Sequence, residues 1–285
     1  MEIRPLTADD LEAAMELKNA AGWFQTEKDW HRLMRLQPGG CFAACIDGRV
    51  VGTTTTTAYS TDLAWIGMVL VDPAYRRRGI ALNLMQTALD YLRQLGVKTI
   101  KLDATPAGRP VYEKMGFEQE SLIERWEAVS QPDLFRRELF QDRGVWEKGT
   151  WDELQELDRN AFGANRSQLL DSWRAESVIS PIILKTHAGP LGGFALVRPG
   201  ATGTYLGPMI ATSTSSAADL LDGIMAKLTA QKIVIDYHTG FAGGSEMLRQ
   251  RGFFMKRELF RMGLGEKSAA GTSHLVFAIG GPEVG

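Results

Sequence analysis

The stretch from Trp65 to Phe117 constrains the fold more than any other part of the chain. It opens on Trp65-Ile66-Gly67-Met68-Val69-Leu70-Val71, an apolar run of strand length that suits a buried strand. Asp72-Pro73 ends the run. Arg76-Arg77-Arg78-Gly79-Ile80-Ala81 follows, and from Ile80 the apolar residues fall at Leu84, Met85, Ala88, Leu89 and Leu92, the spacing of a helix with one buried face. Gly96 stands where such a helix stops. Thr99–Leu102 predicts the next strand, and Val111–Met115 a second helix closed by Gly116.

The chemistry sits at the strand-to-helix junction. A helix N-terminus carries free N–H groups and partial positive charge, and so attracts phosphate. Gly79 has no Cβ and Ala81 a small one, so a bulky dianion can come close to the main chain. Three arginines add cationic charge just upstream. The junction suits a pyrophosphate.

This run resembles the acyl-CoA site of the GNAT-type N-acetyltransferases, whose hallmark is Arg/Gln-x-x-Gly-x-Gly/Ala after a strand and opening a helix. Arg76, Gly79 and Ala81 match it, and Val111-Tyr112-Glu113-Lys114-Met115-Gly116-Phe117 resembles the family's (L/V)YxKxGF segment. The resemblance implies acetyl-CoA as cosubstrate. Its pantetheine arm would pair with the main chain of Met68, Val69 and Val71. Its phosphates would meet Arg76, Arg77, Arg78 and the N–H groups from Arg78 through Gly79 and Ile80 to Ala81. Tyr112 would return a proton to the leaving thiolate, a role open to a hydroxyl with a pKa of about 10; a core tyrosine is the bland alternative. Thr105 departs from the family's asparagine at this place and offers a hydroxyl instead of an amide. Arg109 stands where a basic residue can reach the phosphates. Pro106 and Pro110 keep the second helix from starting before about Ala107. The acceptor side would be walled by the loop around Trp23 and Gln25. No general base is evident; Asp103, Asp62 and Glu27 are the options.

Composition narrows the class. The chain of 285 residues is 44% hydrophobic and 23% charged, values of a globular protein large enough for one big or two modest domains. A net charge of −2 gives no global attraction to nucleic acid, and no apolar run is long enough to span a bilayer. The N-terminal Met-Glu-Ile-Arg-Pro lacks the apolar segment of a signal peptide, so a cytoplasmic protein is expected. Cys41 and Cys45 lie on one face of a predicted strand, too far apart to bridge, and read as core thiols. The four histidines are scattered, so no metal is expected.

Taken in order, the first half gives β, α, α, β, β, β, α, β, α, β, with a hairpin at Asp47-Gly48 and a strand through the consecutive threonines Thr53–Thr57. Leu122–Val129 is one more strand. The second half echoes the first. Thr150–Leu154 follows Thr7–Leu11, Gly189–Gly193 follows Gly48–Gly52, and Tyr205-Leu206-Gly207 follows Trp65-Ile66-Gly67. Lys232–Asp236 follows Thr99–Asp103, and Leu248–Phe253 follows Tyr112–Phe117. This order supports a tandem duplication. The expected fold is α/β (α+β): two GNAT-like domains, each a mixed, mostly antiparallel sheet flanked by helices, at 1–129 and 145–285, joined by 130–144. In the second, residues 210–216 replace the arginines and glycine, and Leu248, which cannot donate a proton, replaces Tyr112. That domain is expected to keep the fold and lose the cofactor chemistry, although Ser215 or Ser216 could still hold an anion. Phe260–Leu264 and Leu275–Ile279 predict two closing strands, and one domain is expected to borrow a strand from the other.

The resulting expectation is an acetyl-CoA-dependent N-acetyltransferase, active in its N-terminal domain on a small-molecule or peptide amine, as a monomer or homodimer. A non-catalytic acyl-CoA sensor or scaffold is the alternative.

Overall fold

A computed structural model describes residues 1–129, 148–185, 190–228, 231–266 and 271–285. The predicted connection at 130–144 lies outside them. The first half runs β1 (Glu2–Pro5), α1 (Leu11–Ala20), α2 (Glu27–Leu36), β2 (Cys41–Ile46), β3 (Arg49–Ala58), β4 (Leu63–Val71), α3 (Ile80–Gln94), β5 (Thr99–Ala104), α4 (Arg109–Lys114) and β6 (Glu118–Val129). The second runs α5 (Lys148–Phe162), α6 (Ser167–Glu176), β7 (Ile182–Lys185), β8 (Leu191–Gly200), β9 (Gly203–Ala211), α7 (Thr214–Lys227), β10 (Lys232–His238), α8 (Gly244–Gln250), β11 (Phe254–Gly265) and β12 (Val276–Ala278).

The chain forms two compact units, and they are not its two halves. Unit 1 holds Met1–Glu118, the described part of 262–269, and Pro282–Gly285; unit 2 holds the described residues of 119–261 and 270–281. The contiguous spans 1–129 and 145–285 expected from sequence therefore do not coincide with the units. Nearly all of β6 belongs to unit 2, and the last residues of β11 belong to unit 1. The borrowing expected in one direction runs in both.

In unit 1, β1 to β4 pair antiparallel in sequence order, and β5 joins β4 in parallel. The end of β11 flanks β5, where Thr99 Oγ1 donates to the Glu266 carbonyl at 2.6 Å. Helix α3 packs on one face and buries Ile80, Leu84, Met85, Ala88, Leu89 and Leu92, the stripe read from the spacing. Helices α1 and α2 also contact β3. The Asp47-Gly48 turn has φ of 49° and 77°, the positive pair of a type I′ hairpin. All five threonines of Thr53–Thr57 are buried in β3. Asp10 accepts from the Thr7 N–H at 2.8 Å and takes a bidentate Arg4, both contacts 2.7 Å, which ties α1's entry to β1.

Unit 2 repeats the plan with one addition. Strands β7, β8 and β9 are antiparallel, and β9 pairs in parallel with β10 over Thr204–Leu206 and Ile233–Ile235. Beyond that pairing β12 enters between them, with Val276 opposite Ile210 on β9 and Ala278 opposite Tyr237 on β10. Strand β6 covers β10's other edge. Arg125 of β6 clasps Asp236 of β10 at 2.7 and 2.6 Å in full burial, and Tyr205 OH adds a third bond at 2.9 Å.

Candidate active site

The site of unit 1 is built where β4 leaves β5. Their parallel pairing covers only Leu63–Trp65 with Thr99–Lys101, so the two strands part before β4 ends. At that point β4 bulges: Thr53 faces Leu70 and Thr55 faces Gly67, leaving Met68 and Val69 opposite Thr54. Met68 takes φ of 50°, rare for such a residue. Its side chain is held in the core at 1% exposure. Thr53 Oγ1 donates to the Met68 carbonyl at 2.9 Å and Thr54 Oγ1 to the Gly67 carbonyl at 3.4 Å. A bulge re-aims the main chain, and here two threonines fix the aim.

Past β4, Asp72 caps a short turn over Pro73–Tyr75. Arg76 Nε donates to the Val71 carbonyl at 3.2 Å, and Arg78 Nη2 to the Ala74 carbonyl at 3.3 Å while its guanidinium lies 5.1 Å above the Tyr75 ring. Arg77 takes φ of 61° and Gly79 of 76°. Gly79 is the N-cap of α3; no side chain caps it, and a Cβ built on it would meet nothing within 4 Å. The helix start is thus an open, uncapped donor surface. Ile80 turns its side chain into the core, so only its N–H faces this opening.

After β5, α4 starts at Arg109 with Pro110 in its first turn, where a proline is tolerated. Tyr112 is buried, its ring 6.1 Å from Phe117 and over Gly108. Burial alone pushes its hydroxyl pKa well above the ordinary value, so it stays protonated. Thr105 is taken up locally, its hydroxyl accepting from the Gly108 N–H at 3.2 Å. Arg109 pairs with Glu113 at 2.6 Å on an exposed face.

In the loop between α1 and α2, expected from sequence to wall the acceptor, Gln25 is buried and Trp23 half-buried. Extending the β4–β5 register by two residues puts Asp103 level with Gly67 across the opening. Asp62 and Glu27 are placed elsewhere. Asp62 sits on the β3–β4 turn, 3.4 Å from Lys98 and more than half exposed, roughly 15–20 Å along the strand from the bulge. Glu27 faces solvent 3.5 Å from His31. Sequence reasoning missed Glu283, whose Oε2 accepts from Gln25 Nε2 at 2.6 Å. Nothing local in Pro282-Glu283-Val284-Gly285 signals this contact.

Unit 2 carries the same frame without these features. Val197 faces Leu206 and Ala195 faces Met209, so β9 bulges at Gly207-Pro208. Proline stands where unit 1 has Val69, and it has no N–H. Ser213 caps α7, its Oγ accepting from the Ser216 N–H at 3.1 Å. Leu248 holds Tyr112's place: Phe253 N donates to Leu248 O at 3.1 Å as Phe117 N does to Tyr112 O at 3.0 Å.

Residues 6–117 match the family model described as "Acetyltransferase (GNAT) family", and residues 154–278 match a second described as "Acetyltransferase (GNAT) domain". The chain belongs to the GNAT acetyltransferases. It is a tandem of two such domains and an acyltransferase. The uncharacterized N-acetyltransferase YitH of Bacillus subtilis is 26% identical over 227 residues, covering 79% of this chain and 78% of that protein. Holothin acyltransferase of a Pseudoalteromonas species is 23% identical across 99% of this chain and 94% of its own. A provisionally assigned acetyltransferase of Pyrococcus horikoshii superposes with a TM-score of 0.81 at 25% identity, covering 100% of this chain and 95% of that one. A tandem GNAT protein of the clavulanic acid pathway shares the fold, with a TM-score of 0.61 at 15% identity over 93% and 98% of the two chains. Among the described residues no helix is long and apolar enough to cross a membrane.

Proposed function

We propose that unit 1 transfers acetyl from acetyl-CoA to a primary amine of a small molecule or peptide, and that unit 2 binds no acetyl-CoA. The observation that carries the reading is the conjunction of the β4 bulge, the parting of β4 from β5 and the uncapped, Gly79-led start of α3. These fit an extended thioester ending in a pyrophosphate. Acetyl-CoA supplies the activated acyl group. Main-chain N–H groups at Met68 and Val69 polarise the thioester carbonyl, as fixed donors aimed at developing charge do. The N–H groups from Arg78 to Ala81 hold phosphate, helped by Arg76 and Arg77, while Val71 lines the arm. Tyr112 gives its proton to the departing sulfur. Proximity of amine and thioester supplies much of the rate.

In unit 2 every counterpart is altered. Strand β12 occupies the gap between β9 and β10, Pro208 removes a donor, Ser213 occupies the helix start and Leu248 replaces the acid. Calorimetric titration with acetyl-CoA is expected to give one site per chain. Tyr112→Phe is expected to retain that isotherm while thiol release from acetyl-CoA falls about 100-fold, the scale of a lost general acid. Two sites, or none, would refute the assignment.

A further inference from the structure

The loop around Gln25 and residues 282–284 meet on one face of unit 1's sheet. The β3–β4 register says which face: Thr57 is opposite Trp65 and Thr55 opposite Gly67, so these four point to the same side. Gly52 points to the other side, where a Cβ would meet Ile80 and Leu84 of α3. On the Trp65 side, Trp65 Nε1 donates to the Pro282 carbonyl at 3.0 Å and Tyr59 OH to the Val284 carbonyl at 2.5 Å. Gly67 lets the residue between them come close: a Cβ there would lie 2.6 Å from the Glu283 carbonyl oxygen and 2.7 Å from its Cα. Glu283 therefore rests on the main chain of the residue just before the bulge. It is 4% exposed and Gln25 8%.

A second observation concerns polar atoms left over. Gln25 Oε1, Thr55 Oγ1 and Thr57 Oγ1 are buried and make no hydrogen bond to any described residue. Buried polar atoms are normally paired, so these three mark a place for a polar partner. Thr55 and Thr57 share the face that carries Glu283, and Gln25 is bonded to it. A carboxylate, an amide oxygen and two hydroxyls form an acceptor-rich set. Such a set suits a group with several N–H donors and positive charge, an alkylammonium.

We propose that Glu283 is the base of unit 1's acceptor site and that the site takes cationic primary amines. The proposal rests on the acetyl-transfer reading above. The Glu283 carboxylate takes one proton from the ammonium, leaving a neutral amine whose nitrogen forms a C–N bond to the acetyl carbon. The C–S bond breaks and its electron pair stays on sulfur. Sulfur takes a proton from Tyr112, and the second proton shed by the nitrogen balances it. The Glu283 proton passes to water. Asp103, level with Gly67 on β5, is the competing carboxylate.

The test is thiol release from saturating acetyl-CoA with a fixed panel of amines (2-phenylethylamine, spermidine and lysine amide) across pH, for wild type, Glu283→Gln, Gly67→Ala and Asp103→Asn, with acetyl-CoA binding measured alongside. For Glu283→Gln, kcat/KM for the amine is expected to fall about 100-fold at pH 7. The loss should shrink as pH rises and the amine deprotonates unaided, with acetyl-CoA binding unchanged. Gly67→Ala, whose Cβ displaces residue 283, should show the same pH-dependent defect while thermal unfolding stays cooperative. Wild-type rates in Glu283→Gln, a pH-dependent loss carried by Asp103→Asn instead, or no turnover of any panel amine by a wild type that binds acetyl-CoA would overturn the proposal. A wild type that fails to bind acetyl-CoA would overturn the transfer reading beneath it.

Discussion

Helix α3 provides a matched pair of glycines that separates backbone strain from ligand binding. Gly79 at its start has φ of 76° and Gly96 just past its end has φ of 73°. Neither has any atom within 4 Å of the place a Cβ would occupy. Alanine at either position must adopt the left-handed conformation, at about 1–2 kcal/mol, and meets no neighbour that would add to that cost. Each variant is therefore expected to lose about 3–6 °C in Tm, taking about 2–4 °C per kcal/mol and the middle of the strain range. They differ only in what lies in front of the new methyl group. At Gly96 it is solvent. At Gly79 it is the space assigned to phosphate, and a methyl group there lengthens hydrogen bonds from fixed N–H donors to a charged oxygen, each worth about 1.5–3 kcal/mol. Gly79→Ala is expected to weaken acetyl-CoA binding about 10- to 100-fold in calorimetry, with Gly96→Ala equal to wild type. Equal affinities in the two variants, at equal losses of Tm, would refute the placement of phosphate at this helix start.

Two further outcomes concern stability. Asp236 and Arg125 are buried together in unit 2, so Asp236→Asn removes the carboxylate that the buried Arg125 guanidinium clasps; urea unfolding is expected to show about 3–5 kcal/mol of destabilisation. Asp10 is held down to about 2 by its hydrogen bonds from Arg4, and so binds its proton less tightly folded than unfolded. Its contribution, about 2 kcal/mol, is present above the ordinary aspartate range and is lost as pH falls through about 2. Asp10→Asn should flatten acid unfolding in that window.

The local parts of this architecture were legible because they are fixed by near neighbours in sequence. The α3 stripe follows from a period, the Asp47-Gly48 turn from residues that tolerate positive φ, and the Tyr112–Phe117 turn from a glycine-closed helix end. The exchange of β6 and β11 was only half visible. A strand such as Leu122–Val129 alternates the same way whichever sheet it joins, so its partner is set by pairing over more than a hundred residues: Arg125 with Asp236, Ala128 with Ile233. The counterpart of Val69 in unit 2 needs the strand register. Tyr205-Leu206-Gly207 echoes Trp65-Ile66-Gly67 in letters, but the register sets Leu206 against Gly67 and so reveals Pro208 in Val69's place. Glu283 carried no signal at all, since its partner Gln25 lies 258 residues away.

The exchanged segments also bear on how such a gene can evolve. After a plain duplication, a spare copy that loses its activity is free to be deleted. Here the second half of the chain supplies the edge beside β5 and the residues at Trp65 and Gly67, so deleting it would strip unit 1 of parts that residues 1–118 do not encode. The same dependence orders events on the ribosome: unit 1 stays incomplete until Pro282–Gly285 has emerged, and a product halted before residue 262 would carry both Arg76–Ala81 and Val111–Phe117 and still lack the segments that complete unit 1.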